Sequence, residues 1–149
     1  MNKFINIAIV GLGQIGIYLY NELNIKKKEI EVKTGKKIKI VAISAKNKNK
    51  KRNFKIDKKN FYSNPLTIFK SKKVDILFES IGQSDGISKK IVETALKNKV
   101  NVITPNKALI AKHGGNTFSV IAPKSPNTFL SSRLKVKDND NVITIDKPL

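Results

Sequence analysis

A chain of 149 residues supports one domain with a real hydrophobic core and leaves little room for a second. It contains no cysteine, which excludes disulfides and thiolate metal sites and suits the reducing cytoplasm, and no stretch nears the roughly 18 apolar residues of a membrane helix. The formal net charge of +19 comes from 30 basic residues against 11 acidic ones, all lysine except Arg52 and Arg133. Nucleic-acid readers favour arginine forks and interleaved aromatics, so this excess reads first as solvated lysine, second as a field for an anionic small ligand, and last as a nucleic-acid surface.

In chain order, Phe4 to Val10 is an apolar, β-branched run that reads as a buried strand; glycines break it too early for a secretory signal. It runs into Gly11-Leu12-Gly13-Gln14-Ile15-Gly16, the G-x-G-x-x-G pattern of a dinucleotide-binding turn. There the first glycine permits the tight turn, the second lets backbone approach a pyrophosphate, and the third lets the helix pack on the strand. The free amides opening that helix, Gln14 and Ile15 among them, then face the phosphates.

Ile15, Leu19, Leu23 and Ile30 predict one long amphipathic helix that Gly35 ends. Ile38, Ile40, Val41 and Ile43 form a second strand stopping near Ser44, which completes β-α-β. An NAD-preferring unit carries an acid after this strand. Here stand Ser44, Lys46, Lys48, Lys50, Lys51 and Arg52, which suit a 2′-phosphate better than two ribose hydroxyls. Residues 53–63 read as a loop anchored by Phe54, Ile56, Phe61 and Tyr62. Asn64-Pro65 predicts an N-cap and first position for a short helix through Lys70.

Val74 to Glu79 is a third strand ending at Ser80-Ile81-Gly82, and Ser84 or Asp85 is expected to cap the next helix, with Ile87, Ile91 and Ala95 facing inward. Val100 to Thr104 is a fourth strand, followed by Pro105 and Asn106 opening a helix through His113. Strands alternating with helices predict an α/β fold, a Rossmann-type doubly wound parallel sheet. No G-x-x-x-x-G-K-[ST] occurs, which excludes a P-loop NTPase. Ligands lie beyond the carboxyl ends of such strands. The loops at Gly11, Ser44, Ser80 and Thr104 therefore converge, with Lys107 placed for charge neutralisation or proton transfer.

The glycine turn, Val41 to Lys46, Glu79 to Gly82 and above all Thr104-Pro105-Asn106-Lys107-Ala108-Leu109-Ile110-Ala111-Lys112-His113-Gly114 resemble the cofactor domain of homoserine dehydrogenase, over residues 4 to 115. The resemblance implies NAD(P)-dependent interconversion of homoserine and aspartate semialdehyde, on the route to threonine, methionine and isoleucine. It implies a pyrophosphate held by Gly11, Gly13, Gln14, Ile15 and Gly16, and the adenine ribose end held by Ser44 and Lys46; the residues after the second strand, not the resemblance, favour NADP over NAD. It places Ser80, Ile81 and Gly82 along the cofactor and Lys107 beside the nicotinamide as the catalytic lysine, and reads His113 as structural. No metal site is expected.

The family continues into a second domain with acidic substrate ligands, the main acid/base lysine and the dimer contacts. In this chain residues 115–122 can still be helical, but Pro123 onward departs from the family. The expected organisation is a cofactor domain over residues 1–122 and a divergent tail over 123–149, either disordered or adding a strand near Val142 to Ile145. A truncated product, cofactor-binding but barely active alone, is the expectation, with a small-molecule substrate, no nucleic acid and no membrane as partners and oligomerisation left open. The rivals are another semialdehyde or amino-acid dehydrogenase and a free-standing NADP-binding or sensor module.

Overall fold

The computed structural model describes residues 3–117, 134–136 and 143–145. Four parallel strands, β1 (Phe4–Val10), β2 (Lys37–Ser44), β3 (Ile76–Glu79) and β4 (Asn101–Ile103), lie in the order β2-β1-β3-β4. The chain leaves β1 to one side for β2 and returns to its other side for β3. That reversal opens a crevice at the carboxyl ends of the strands.

Alternation along the strands divides the core between the two sheet faces. Ala8, Val10, Leu77 and Val102 point to one face and pack with Ile91, Val92 and Ala95 of α4 (Ile87–Lys97), with Ile68 of α3 (Ile68–Ser71), and with Leu109 of α5 (Lys107–Thr117). Ile7, Ile9, Ile43 and Phe78 point to the other, under Ile17, Leu19, Tyr20 and Leu23 of α1 (Gln14–Ile25). Each such side chain fully removed from water contributes about 1.5–3 kcal/mol. A register shift between Ile7 and Ala8 aligns Ala8 with Ala42 and leaves Val41 as the extra residue of β2.

The long helix expected after Gly16 is two helices, α1 and α2 (Lys27–Thr34). The break falls at Lys26, because the Lys-rich segment beyond it has no apolar stripe to hold against the sheet. Val32 is 86% exposed, and α2 buries no residue. Ion pairs at helical spacing, Lys26 with Glu22 and Lys33 with Glu29, support this stretch, and Gly35 closes it by donating its N–H to the Glu31 carbonyl at 2.8 Å.

The loop before α3 is anchored as expected. Phe54 stacks on Tyr20 with ring centroids 4.0 Å apart, and Phe61 makes a parallel bridge to Ile43 beside β2. Asn64 caps the turn at Pro65–Thr67 by accepting the Leu66 N–H at 3.0 Å, and α3 follows directly. The expected Ser84 or Asp85 cap on α4 is not formed. Gly86 is the capping residue, without a side-chain bond, and Asp85 turns to α5 instead. The helix expected through His113 extends to Thr117. Beyond it the described residues form one antiparallel pair, β5 (Leu134–Val136) with β6 (Ile143–Ile145); the expected 122/123 boundary and residues 118–122 lie outside the described residues.

Candidate functional site

The loops that follow β1, β2 and β3 border a cleft of about 1030 Å³ at the carboxyl edge of the sheet, and the loop after β4 does not line it. Its floor is the glycine turn. Gly11 donates its N–H to the Ser44 carbonyl at 2.9 Å, which locks the turn to the end of β2. Gly11 stands at φ 95°, and a Cβ there would meet the Ser80 carbonyl carbon at 2.6 Å. At Gly16 a Cβ would lie 1.9 Å from the Gly11 carbonyl oxygen, so the helix reaches the strand only without a side chain. Gly13 differs: a Cβ there would meet nothing within 4 Å, and the residue borders the cleft. The protein itself does not require that space to be empty, whereas a ligand lying on the backbone would.

Gly13 opens α1 without a side-chain cap, and the helical ladder begins with Ile17 N–H donating to the Gly13 carbonyl at 3.0 Å. The amides of Gln14, Ile15 and Gly16 precede that ladder, at the positive end of the helix dipole. None of these three residues lines the cleft itself.

One wall is the segment after β2. Ser44, only 3% exposed, sits at its base with Lys46, Asn47, Lys48, Lys50 and Arg52 above it. Arg52 organises this loop from within: its guanidinium donates to the carbonyls of Asn47 (2.8 Å), Lys50 (3.0 Å) and Lys48 (3.3 Å). Its charge is therefore committed to loop shape. Lys48 is placed over the Phe61 ring, 5.4 Å from its centroid. Lys46 and Lys50 form no ion pair among the described residues. Among the described residues no carboxylate and no histidine lines the cleft, which leaves a strongly cationic wall.

The opposite wall is the loop after β3. Ser80 and Ile81 line it, together with Gln83, which the sequence did not single out, and Ile87, which it read only as a core-facing helix residue. The Ser80 hydroxyl donates to the Gly11 carbonyl at 2.7 Å and so ties this loop to the glycine turn. Gly82, at φ 88°, belongs to the same loop but does not border the cleft. Lys107, the first residue of α5, is exposed and also stands outside the cleft lining. Its backbone is fixed nonetheless: Asn106 caps α5 by accepting the Leu109 N–H at 3.1 Å and donates its own amide to the Gln83 carbonyl at 2.6 Å.

Asp85 ties the same loop to α5 a second time, accepting from Lys112 at 2.6 Å and lying 3.0 Å from His113. The Lys112 bond, then the His113 one, pushes the Asp85 carboxyl down to about 2. His113 is thus engaged as a strut, with its side chain 15% exposed. No cluster of metal-ligating side chains and no helix long and apolar enough to cross a membrane occurs among the described residues.

A parallel sheet wound to both sides of β1, with a glycine turn at its switch point, defines a Rossmann-type nucleotide-binding domain. The comparisons narrow this further. A family profile described as "Homoserine dehydrogenase, NAD binding domain" matches residues 11–125, and the chain belongs to that family. A homoserine dehydrogenase of Neisseria gonorrhoeae is 31% identical over 116 residues, which is 78% of this chain and 26% of the relative. One of Pseudomonas aeruginosa is 31% identical over 122 residues, with the same shares. The crystal structure of S. aureus homoserine dehydrogenase at pH 7.5 superposes with a TM-score of 0.67 at 33% identity, covering 74% of this chain and 28% of that one. The chain thus spans about a quarter of the length of the relatives it matches.

Proposed function

We propose that the cleft holds NADP in preference to NAD, and that the domain serves the oxidoreduction of homoserine and aspartate semialdehyde. The observation that carries the cofactor reading is the pairing of an open Gly13 backbone with a cationic wall in which no described residue is a carboxylate. Gly11 and Gly13 would hold the pyrophosphate, with the Gln14, Ile15 and Gly16 amides directed at it. Ser44 and Lys46 would take the adenine ribose and its 2′-phosphate. A carboxylate in their place would repel that phosphate, whereas an ammonium and a hydroxyl bind it. Ser80, Ile81 and Gly82 would flank the rest of the cofactor.

A nicotinamide cofactor, when bound, supplies hydride exchange with a carbonyl carbon. The chain's own part is orientation and charge: Lys107, an ammonium at the start of α5, holds a proton available to an oxygen that gains negative charge. The substrate's ammonium group would need acidic partners, and the cleft offers none among the described residues. For these 149 residues by themselves the expected behaviour is cofactor binding with little turnover. The same reading places the protein in the cytoplasm and leaves the substrate, not nucleic acid, as its small-molecule partner.

Calorimetric titration with NADPH and with NADH tests the cofactor reading. NADPH binding at least about tenfold tighter, roughly 1.4 kcal/mol, is the expected result; equal affinities would remove the 2′-phosphate role of Ser44 and Lys46. Homoserine oxidation by the purified chain at an ordinary enzymatic rate would overturn the expectation of little turnover.

A further inference from the structure

Beneath the loop after β3 lies a fully buried carboxylate that the cofactor reading does not use. Glu79 ends β3 at 0% exposure, and no lysine, arginine or histidine pairs with it among the described residues. Its two oxygens are met by hydrogen bonds alone. Oε1 accepts from the Ile81 N–H at 2.8 Å and from the Ser88 hydroxyl at 3.1 Å; Oε2 accepts from the Thr104 hydroxyl at 2.5 Å. Thr104 in turn accepts the Asn106 N–H at 3.0 Å. One side chain thereby fastens the loop after β3, the first turn of α4 and the end of β4, and through Thr104 it reaches the residue before Lys107.

An apolar residue would fill this position at no desolvation cost, so a buried, fully hydrogen-bonded carboxyl here points to a placement task that packing alone does not perform. Its partners have one thing in common. All belong to the wall that carries Ile81 and to the segment that carries Lys107, and none belongs to the Ser44–Arg52 wall.

We propose that Glu79 is a positioning residue for the nicotinamide half of the site, setting the loop after β3 and the start of α5 relative to each other. This rests on the cofactor reading above. Loss of its charge moves the nicotinamide end and leaves the adenine end in place, which a merely structural residue would not do selectively.

The test compares Glu79→Gln with Thr104→Val, which severs the same link from its other side without touching the carboxylate. Each full chain is titrated with NADPH and with 2′,5′-ADP, a probe of the adenine end alone, and the fluorescence of the bound reduced nicotinamide is recorded. Both variants are expected to bind 2′,5′-ADP within about twofold of the parent and NADPH about tenfold more weakly, the size of one charge-assisted hydrogen bond, with nicotinamide emission moved toward that of free NADPH. Unchanged NADPH binding and emission, or an equal loss for both ligands, overturns the proposal. A parent chain that binds neither ligand would defeat the cofactor reading instead. The positioning claim is then decided on the ligand-free protein by amide exchange: faster exchange at Asn106 in Thr104→Val and in Glu79→Gln, with the Gly11 and Tyr62 amides unchanged, supports it, and no difference at Asn106 overturns it.

Discussion

At Gly16 an added Cβ would press on a backbone oxygen 1.9 Å away, and at Gly13 it would enter open space; these two glycines of one turn therefore answer to different constraints. Gly16→Ala gains helix propensity of up to about 1 kcal/mol. It must also push α1 off the strand, and overpacking against backbone outweighs that gain, for a net loss of about 2 kcal/mol or more in urea denaturation. Gly13→Ala should unfold within about 1 kcal/mol of the parent, since only a capping preference is lost. Its expected effect is on NADPH affinity, weakened by about tenfold in calorimetry. Parent-like affinity in a folded Gly13→Ala chain would mean that no ligand approaches that backbone. The Ser80 hydroxyl, donated to the Gly11 carbonyl, is a tie between loops before it is a ligand contact, and Ser80→Ala should cost about 1 kcal/mol of stability.

Between elements, the loop after β3 is strapped to α5 by Asn106 and by the Asp85 pair with Lys112 and His113. The Asp85 carboxyl is held down at about 2, below its ordinary value near 3.8, so the strap contributes stability that is fully present above pH 4. As pH falls from about 4 through 2, Asp85 is protonated and the contribution is lost. Amide exchange along α5 should therefore quicken over that window in the parent, and the step should vanish in Asp85→Asn. The group is solvent-exposed, so the readout is local opening of α5, with global unfolding set by other carboxylates. The break between α1 and α2 belongs to the same scale. Ion pairs at helical spacing hold the turn where burial does not, and such pairs contribute only tenths of a kcal/mol each.

For the whole molecule, the charge of +19 is a surface property and the fold does not depend on it. Its consequence is long-range attraction for anions, focused where the cleft gathers Lys46, Lys48 and Lys50 on one wall. Raising ionic strength shortens the screening length from about 10 Å at 0.1 M. NADPH affinity should thus fall with salt more steeply than NADH affinity, and Lys46→Glu should reduce the difference between the two cofactors about tenfold or more. Parallel salt slopes for the two cofactors would place the 2′-phosphate away from these lysines.

The strands, their order of appearance and the glycine turn were legible in the sequence, because short β-branched apolar runs and a fixed glycine spacing are local signals. So were Asn64 as a cap and Asn106 with Pro105 as the opening of a helix. The family, too, was carried by local strings such as Thr104 to His113. What the sequence could not decide were choices among competing long-range partners. Asp85 looks like a cap until α5 brings Lys112 and His113 to it, and Arg52 looks like a phosphate ligand until the loop wraps its carbonyls around the guanidinium. Glu79 reads as the last residue of a strand, and only the adjacency of β3 and β4 and the packing of α4 on the sheet place Thr104 and Ser88 on its carboxylate. Local spacing fixes which elements form, since each depends on neighbours in the chain. The use of each polar side chain waits on the tertiary fold, because a buried hydrogen bond needs a partner that the chain delivers from residues away in sequence.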